Sequence, residues 1–400
     1  MEKFSAAVKS LRTSEIRDLM SVAVRPDIIS FAGGMPGNEL FPVEEIDTIY
    51  NELPRPVKET AFQYGPTPGY PPLLESLTGF LRTKGLPVDT NRLMITTGSL
   101  QAINILGKVF IDPQDVVVTE NPSFIGAISA FKSYQAVLKG VPLDREGISM
   151  DGLTEVLWTL KSHPPKFVYL IPNFHNPAGT LYSDERRKDV ARVLREHGQI
   201  LLEDDAYGDL YFDDQTRPLV SPMKTRFDGE LPICYLGAFS KILGPGFRLG
   251  WMLVPPDIYQ KAELVKQSMD ACSPNFTQVL AHEFVRRGMI YPYIVRLRTV
   301  YRQRKDLMVA AIKEFFPDDM EWTEPLGGFY IWMKLPAGVD AVSVLKASME
   351  KGAIFVIGRT FDPEGVDNSH IRLAYSNASE ATMEKGIRII GESIRSQMKN

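Results

Sequence analysis

Lys241 follows directly on the apolar run Cys234–Gly237, in the stretch Ala238-Phe239-Ser240-Lys241-Ile242-Leu243-Gly244-Pro245-Gly246-Phe247-Arg248. Lysine is almost never fully buried without a partner. An amine at such a place is either a solvated loop residue or a nucleophile and base held in a pocket. Arg248, seven residues on, is spaced to return to the same pocket, where a guanidinium can grip a phosphate bidentately. Other polar groups stand at the ends of other apolar runs. Leu93–Thr97 leads into Gly98-Ser99-Leu100-Gln101, where glycine permits close backbone approach and a helix start offers free N–H groups. That is a phosphate cradle, although a plain strand–helix turn capped by serine has the same residues. After Val116–Glu120 comes Phe124, a ring that could stack on a flat heterocycle or simply fill a core. After Phe167–Ile171 come His175, read as a loop residue, and Asn176, which its following proline keeps out of helix. The Asn176 amide can donate to a ring oxygen, though turn chemistry alone also explains it. Ile200–Glu203 opens into Glu203-Asp204-Asp205-Ala206-Tyr207. Three acids exceed what a turn requires. One of them can pair with a buried cation, with metal binding as the competing reading.

The elements that must position these groups are short, continuous apolar runs alternating with helices. Such runs suit strands buried on both faces of a mainly parallel sheet. The helix between two of them is well marked: Ser183 can cap it, Asp184 and Glu185 favour its positive end, and Gly198 can close it. Residues 60–275 or so therefore read as a doubly wound α/β unit, in which ligands bind beyond the carboxyl ends of the strands. The last hundred residues differ. Gly327–Leu335 and Ile371–Tyr375 read as strands, and a final helix near Ser379 carries Met383, Ile387, Ile390 and Ile394 on one face. The expected division is an N-terminal arm and linker at 1–45, a large domain at 46–290 and a small α+β domain at 291–400.

Composition narrows the function. With 44% apolar and 24% charged residues, the 400-residue chain is an ordinary globular one with enough apolar residues for a large core. A net charge of −4 offers no basic excess for nucleic acid, and nothing approaches the length of a membrane span. Cys234 and Cys272 are too few and too far apart for a zinc or disulfide framework, and with no apolar leader they fit a cytoplasmic protein. Gly244-Pro245-Gly246 lacks the third glycine of a dinucleotide fingerprint, Gly107-Lys108 lacks a P-loop, and His282-Glu283 lacks the second zincin histidine.

Taken together, a phosphate cradle, a stacking ring, a donor amide, an acid, a phenol and a lysine–arginine pair are what pyridoxal 5'-phosphate (PLP) needs. The chain resembles the fold-type I PLP enzymes, specifically the class I/II aminotransferases, and within them the 2-aminoadipate and kynurenine aminotransferase branch. The segments that carry the resemblance are Ser14-Glu15-Ile16-Arg17, Ser30-Phe31-Ala32-Gly33-Gly34-Met35-Pro36, Gln63-Tyr64-Gly65-Pro66, the lysine segment and Ile371-Arg372-Leu373.

The resemblance implies a Schiff-base lysine at Lys241, a partner of the pyridinium nitrogen at Asp204, and ring-hydroxyl ligands at Tyr207 and Asn176. It puts Phe124 in the stacking position, and Ser99, Leu100, Ser240 and Arg248 in the phosphate-binding segments. Tyr64 matches a tyrosine that reaches the phosphate of the neighbouring subunit, which implies a homodimer. Arg372 matches the clamp for the substrate α-carboxylate. Ser14, Arg17 and Gly34 fall where the branch contacts substrate from a mobile arm, and Arg17 is suited to a distal carboxylate. Ala238 stands where the family often has Ser or Thr, Leu100 replaces a glutamine, and Ile357 replaces a frequent proline. The implied reaction is a ping-pong transamination between an L-amino acid of broad type and a 2-oxo acid, with 2-oxoglutarate as the expected acceptor. A PLP-dependent β-lyase and a non-catalytic regulatory module are the alternatives. No basic helix-turn-helix precedes the arm to favour the second.

Overall fold

The structure, a computed structural model, describes residues 3–9, 23, 25 and 27–398. Numbered along the chain, its strands are β1 (Ile29–Ser30), β2 (Arg92–Thr96), β3 (Val116–Asn121), β4 (Val137–Asp144), β5 (Gly147–Ile148), β6 (Val168–Leu170), β7 (Leu201–Asp204), β8 (Ile233–Ala238), β9 (Gly250–Val254), β10 (Glu321–Trp322), β11 (Tyr330–Lys334), β12 (Ala353–Ile354), β13 (Val356–Ile357) and β14 (His370–Ala374). Each apolar run read from the sequence is a strand within a residue or two.

The large sheet has the order β2-β9-β8-β7-β6-β3-β4-β5. Its middle, from β8 to β4, is parallel. Alternation along the strands sends side chains to two separate cores. Leu202, Leu236 and Tyr169 meet Ala102, Leu106, Ala127, Phe131 and Ile258 from the helices Ser99–Phe110, Ile125–Ser133 and Pro256–Met269. Leu201, Ile233, Val168 and Leu170 meet Leu153, Leu157, Val190 and Leu194 from the helices Met150–Thr159 and Asp184–Glu196 on the other face. Both faces are thus covered, as a parallel sheet requires. The helix Asp184–Glu196 begins as expected, with the Ser183 hydroxyl accepting from the Arg186 N–H, and Gly198 behind it takes φ +61°.

Two strands depart from the parallel expectation: β5, which turns back antiparallel on β4 at the edge, and β9. β9 runs antiparallel to both β2 and β8. Its link to β8, Phe239–Leu249, is shorter than the dozen or so residues that a crossover to a parallel strand needs. This hairpin-like return places Arg248 back beside the end of β2.

A second sheet, order β10-β11-β14-β13, is wholly antiparallel. Behind it, Met383, Ile387, Ile390 and Ile394 of the helix Glu380–Met398 share a core with Met308 and Ile312 of the helix Ile290–Phe315. β1 pairs in parallel with β12, and the Phe31 N–H donates to Ile354 O (2.8 Å). The Ala374 N–H donates in turn to Phe31 O at 2.9 Å. Residues 31–35 are thereby led along the second sheet toward the carboxyl ends of the first. Among the described residues, no helix is long and apolar enough to cross a membrane.

Backbone proximity holds the two sheet edges at the site in register. A Cβ built on Gly250 would lie 2.6 Å from the Gly98 carbonyl carbon and 2.7 Å from the Ser99 nitrogen. Neither is the tip of a side chain that can swing away. Gly250→Ala is therefore expected to cost about 1–3 kcal/mol by overpacking. A thermal unfolding midpoint equal to that of the parent would show that β9 does not press on the helix start.

Candidate active site

The carboxyl ends of β2, β3, β6, β7 and β8 border a half-open cavity of about 390 Å³, flanked on another side by residues 33–35, Tyr330 and Arg372. Lys241 stands at its centre. Its amine donates to the Gly34 carbonyl at 2.7 Å and lies 5.8 and 5.5 Å from the ring centroids of Tyr207 and Phe329. Burial pushes this amine down to about 8, and the Arg372 and Arg248 guanidiniums push the same way. It is thus a base that can work near neutral pH.

The three consecutive acids after β7 go three ways. Glu203 accepts the Met223 and Lys224 N–H groups, and Asp205 turns away from the cavity. Only Asp204 lines it. Its Oδ2 accepts from the Tyr169 hydroxyl at 2.7 Å, while its Oδ1, also buried, has no partner. Burial raises this carboxyl to about 7, Asp205 and Glu120 add to the rise, and the Tyr169 bond opposes it. Among the described residues, no group of three His, Cys, Asp or Glu side chains is arranged to hold a metal ion.

Arg372, on β14, is the second buried cation. Nη1 donates to Asn176 Oδ1 (2.9 Å) and Nη2 to Ala32 O (2.5 Å), and the guanidinium lies 4.4 and 4.6 Å from the ring centroids of Tyr330 and Phe361. A guanidinium can only donate, so the Asn176 amide must turn its oxygen to Arg372. That leaves its NH₂ free to donate. Tyr207, packed against Phe329 and Tyr330, shares a hydrogen bond with the Tyr330 hydroxyl at 2.9 Å. Burial lifts the Tyr207 phenol well above its ordinary value.

One end of the cavity is built from backbone and a guanidinium. Gly98 takes φ +78°, where a Cβ would sit 3.0 Å from the Arg248 Nη2 atom, and Ser99 begins a helix. Arg248 itself is left-handed (φ +51°) and donates weakly to the Thr97 and Pro245 carbonyls at 3.4 and 3.3 Å. Ser240 and Leu100 also line this end. Phe124 lines the wall, folded back so closely that a Cβ on Gly126 would meet its ring at 2.4 Å.

Of the residues singled out in the sequence, Ser99, Leu100, Phe124, Asn176, Asp204, Tyr207, Ser240, Lys241, Arg248, Arg372 and Gly34 meet in this one cavity, with Ala238 beside them. Tyr64 is 86% exposed and does not line it. Ser14 and Arg17 lie outside the described residues. Sequence reasoning missed Tyr330 and Tyr169. Tyr169 carried one signal, a phenol in an otherwise apolar run, whose hydroxyl needs a partner when buried. His175 does lie in a loop, as read, but its burial was not foreseen. His175 is buried, its Nδ1 accepting from the Ala178 N–H and its Nε2 facing Glu120 at 3.1 Å. Glu120 collects the Tyr182 hydroxyl and the Ile171 N–H as well, so this pair holds the turn that presents Asn176.

The family described as aminotransferase class I and II matches residues 39–390. The chain belongs to that family. It is 38% identical over 99% of its length to aromatic-amino-acid aminotransferase 1 of Thermococcus litoralis, covering 95% of that protein. It matches the kynurenine aminotransferase of Pyrococcus horikoshii, solved with PMP and kynurenine, at TM-score 0.94 and 38% identity over 100% of this chain and 98% of that one. LysN, the α-aminoadipate aminotransferase of Thermus thermophilus solved with N-(5'-phosphopyridoxyl)-L-leucine, matches at TM-score 0.89 and 35% identity over 99% and 98%. This aminotransferase has the PLP-dependent fold type I, and PLP is its cofactor. Its own side chains fit that group: an orphaned carboxylate oxygen at one end of the cavity, an amine in the middle, and a glycine-bounded helix start with a guanidinium at the other.

Asp204 yields a pH prediction. Its folded value of about 7 lies above the ordinary 3.8. The unfolded chain therefore releases this proton first, and folding is penalised progressively as pH rises from about 4 to about 7. Asp204→Asn keeps the Tyr169 bond and removes the penalty. The cofactor-free variant should match the parent below pH 4 and exceed it by a few kcal/mol above pH 7. A stability gap that stays constant from pH 4 to 8 in urea unfolding would contradict the environment assigned to Asp204.

Proposed function

We propose that this aminotransferase uses Lys241 as its proton-transferring base and accepts a broad range of L-amino acids, with 2-oxoglutarate as the paired 2-oxo acid. The observation that carries the reading is the orphaned Asp204 oxygen, set in the same cavity as the Lys241 amine and an Arg372 guanidinium held by neutral oxygens. When bound, PLP supplies a carbonyl carbon that condenses with amines and a ring that accepts the electron pair left on the substrate α-carbon.

The chain's own groups do the rest. Asp204 holds a proton on the ring nitrogen through its free oxygen, with Tyr169 fixing the other oxygen. Asn176 and Tyr207 donate to the ring hydroxyl oxygen, and Phe124 covers the ring face. Ser99, the Leu100 backbone, Ser240 and Arg248 hold the phosphate. Ala238, a buried methyl in place of a hydroxyl, gives that group one contact fewer. Arg372 grips the substrate α-carboxylate through nitrogens that now hold only neutral oxygens. Lys241 would carry the proton between the substrate α-carbon and the cofactor C4′ carbon, its lowered value near 8 keeping a working fraction unprotonated at neutral pH.

Several finer assignments rest on the family. The relatives named for aromatic, kynurenine and α-aminoadipate substrates support an open side-chain pocket rather than one dedicated donor. Arg17, with Ser14 and Gly34, is assigned to the substrate side chain, Arg17 to a distal carboxylate. The exposure of Tyr64 supports a homodimer in which it serves the partner subunit's site. Two unpaired cysteines support a cytoplasmic setting. The helix Ile290–Phe315 begins at the proposed border between a large domain at 46–290 and a small one at 291–400.

A panel of amino acids assayed with 2-oxoglutarate tests the substrate range. Glutamate, 2-aminoadipate, aromatic and branched-chain donors should all turn over, and ammonia release without a 2-oxo acid would replace the reading with a lyase. Lys241→Ala should lose turnover by several orders of magnitude. Activity within tenfold of the parent would remove Lys241 from its role. Arg17→Gln should raise KM for 2-aminoadipate and spare leucine or phenylalanine. Equal losses for both would refute the distal-carboxylate assignment.

A further inference from the structure

Asp204 faces the cavity, but its neighbour Asp205 is the better connected of the two. Asp205 Oδ1 accepts from Asn173 Nδ2 and from the Gly208 N–H, both at 3.0 Å, and Oδ2 accepts from the Tyr235 hydroxyl at 2.7 Å. The donors come from three places. Asn173 belongs to the loop after β6 that presents Asn176. Gly208 belongs to the loop after β7 that presents Tyr207. Tyr235 belongs to β8, which runs on into Lys241. One buried carboxylate thus gathers the three segments that carry the cofactor-facing groups, from a position that does not line the cavity itself.

A carboxylate so buried needs a cation nearby. Lys84, just past the helix Pro71–Thr83, reaches under the sheet to 3.8 Å from Asp205, 3.1 Å from Asp209 and 3.5 Å from the Tyr235 hydroxyl. Burial disfavours the Lys84 charge, but Asp209 and Asp205 more than offset that and hold its amine above the usual lysine value. On the far side, the buried Arg187 donates to Asn173 Oδ1 at 2.7 Å, so Asn173 bridges a second cation to the same carboxylate. The remaining charged or titratable neighbours are Glu203 and Asp204 on β7, with Tyr169 and Glu120 beyond Asp204. Lys84 and Arg187 therefore face a cluster of acids of which Asp205 is the hub.

We propose that Asp205, neutralised by Lys84, is a positioning residue that sets the relative places of Asn176, Tyr207 and Lys241. This rests on the roles proposed above for those three groups. Asp205 is bonded to all three segments at once, so a change there displaces all three together. Reacting groups out of place by about 1 Å lose on the order of 100-fold in rate. Asp205→Asn keeps the size of the side chain but removes the charge that Lys84 faces and forces the Tyr235 hydroxyl to turn from donor to acceptor, so the ties to the three segments weaken together.

The test uses the full-length, PLP-loaded enzyme as Asp205→Asn, Lys84→Met, Lys84→Arg and the Asp205→Asn/Lys84→Met double variant. Three quantities are read: kcat with KM for the amino donor, the PLP dissociation constant by titration of the stripped protein, and the unfolding midpoint. Asp205→Asn should lower kcat about 10- to 100-fold with a smaller change in KM, and should weaken PLP binding. Lys84→Met should move both in the same direction, Lys84→Arg should restore them, and the double variant should be no worse than Asp205→Asn alone, since both act at one hub. A purely structural role would lower the midpoint while leaving kcat and PLP affinity of the folded enzyme at parent values; that result, or additive losses in the double variant, overturns the proposal. If Asp205→Asn fails to fold, the two Lys84 variants decide: loss with Met and retention with Arg support it, and equal values for both overturn it. Failure of the underlying site assignment shows separately, as persistent turnover in Lys241→Ala.

Discussion

Ionised groups are kept out of water here without being allowed to neutralise one another, and the rest of the structure follows from that constraint. Burying a charge costs several kcal/mol unless something offsets it. At this site the offsets are neutral. Lys241 has a carbonyl, Arg372 a carbonyl, an amide oxygen and two ring faces, and Asp204 a phenol. A carboxylate in any of those places would have consumed the cation. Dipoles and rings leave Arg372 and Lys241 without an anionic partner among the groups that touch them. The ion pairs that do form, such as Lys84 with Asp209, lie behind the site, where full neutralisation does no harm to the chemistry.

The two sheets divide this work. The parallel sheet brings the cavity-lining residues to one rim because every strand from β8 to β4 ends on the same side. The antiparallel sheet brings Tyr330 on β11 and Arg372 on β14 to face them, in register as direct neighbours of Ala374 and Trp332. Tyr330 joins the halves, with its hydroxyl on Tyr207 and its ring under Arg372.

Much of this was legible in the sequence, for a physical reason. Strands buried on both faces are continuous apolar runs, so the polar residues just past their ends stand out, and those residues proved to be the rim of the cavity. Lys241, Asn176 and Arg248 were found in that way, and Asp204 as one of three candidate acids. What escaped was long-range pairing. Tyr330 and Tyr207 are 123 residues apart, and no local spacing foretells that their hydroxyls meet. Glu120 and His175 looked like a strand end and a loop residue, because nothing in either segment shows that the two would share a buried hydrogen bond. The antiparallel run of β9 was hidden as well: its apolar pattern is the same in either direction, and only the short link from β8 decides it. Nor did Glu203-Asp204-Asp205 show which acid would line the cavity, since both faces of β7 are buried and its pattern does not tell them apart.

The covers over the two buried cations have a property of their own. The groups that touch Lys241 and Arg372 from the N-terminal side, Gly34 O and Ala32 O, are both peptide oxygens of one short segment, itself hung on the second sheet through Phe31. Every amino acid carries the same oxygen, yet the segment has little room for larger side chains: a Cβ on Gly34 would run into the Tyr330 ring and hydroxyl, and Ala32 is fully buried. The shelter over both cations thus depends on two small residues whose side chains have nowhere to grow.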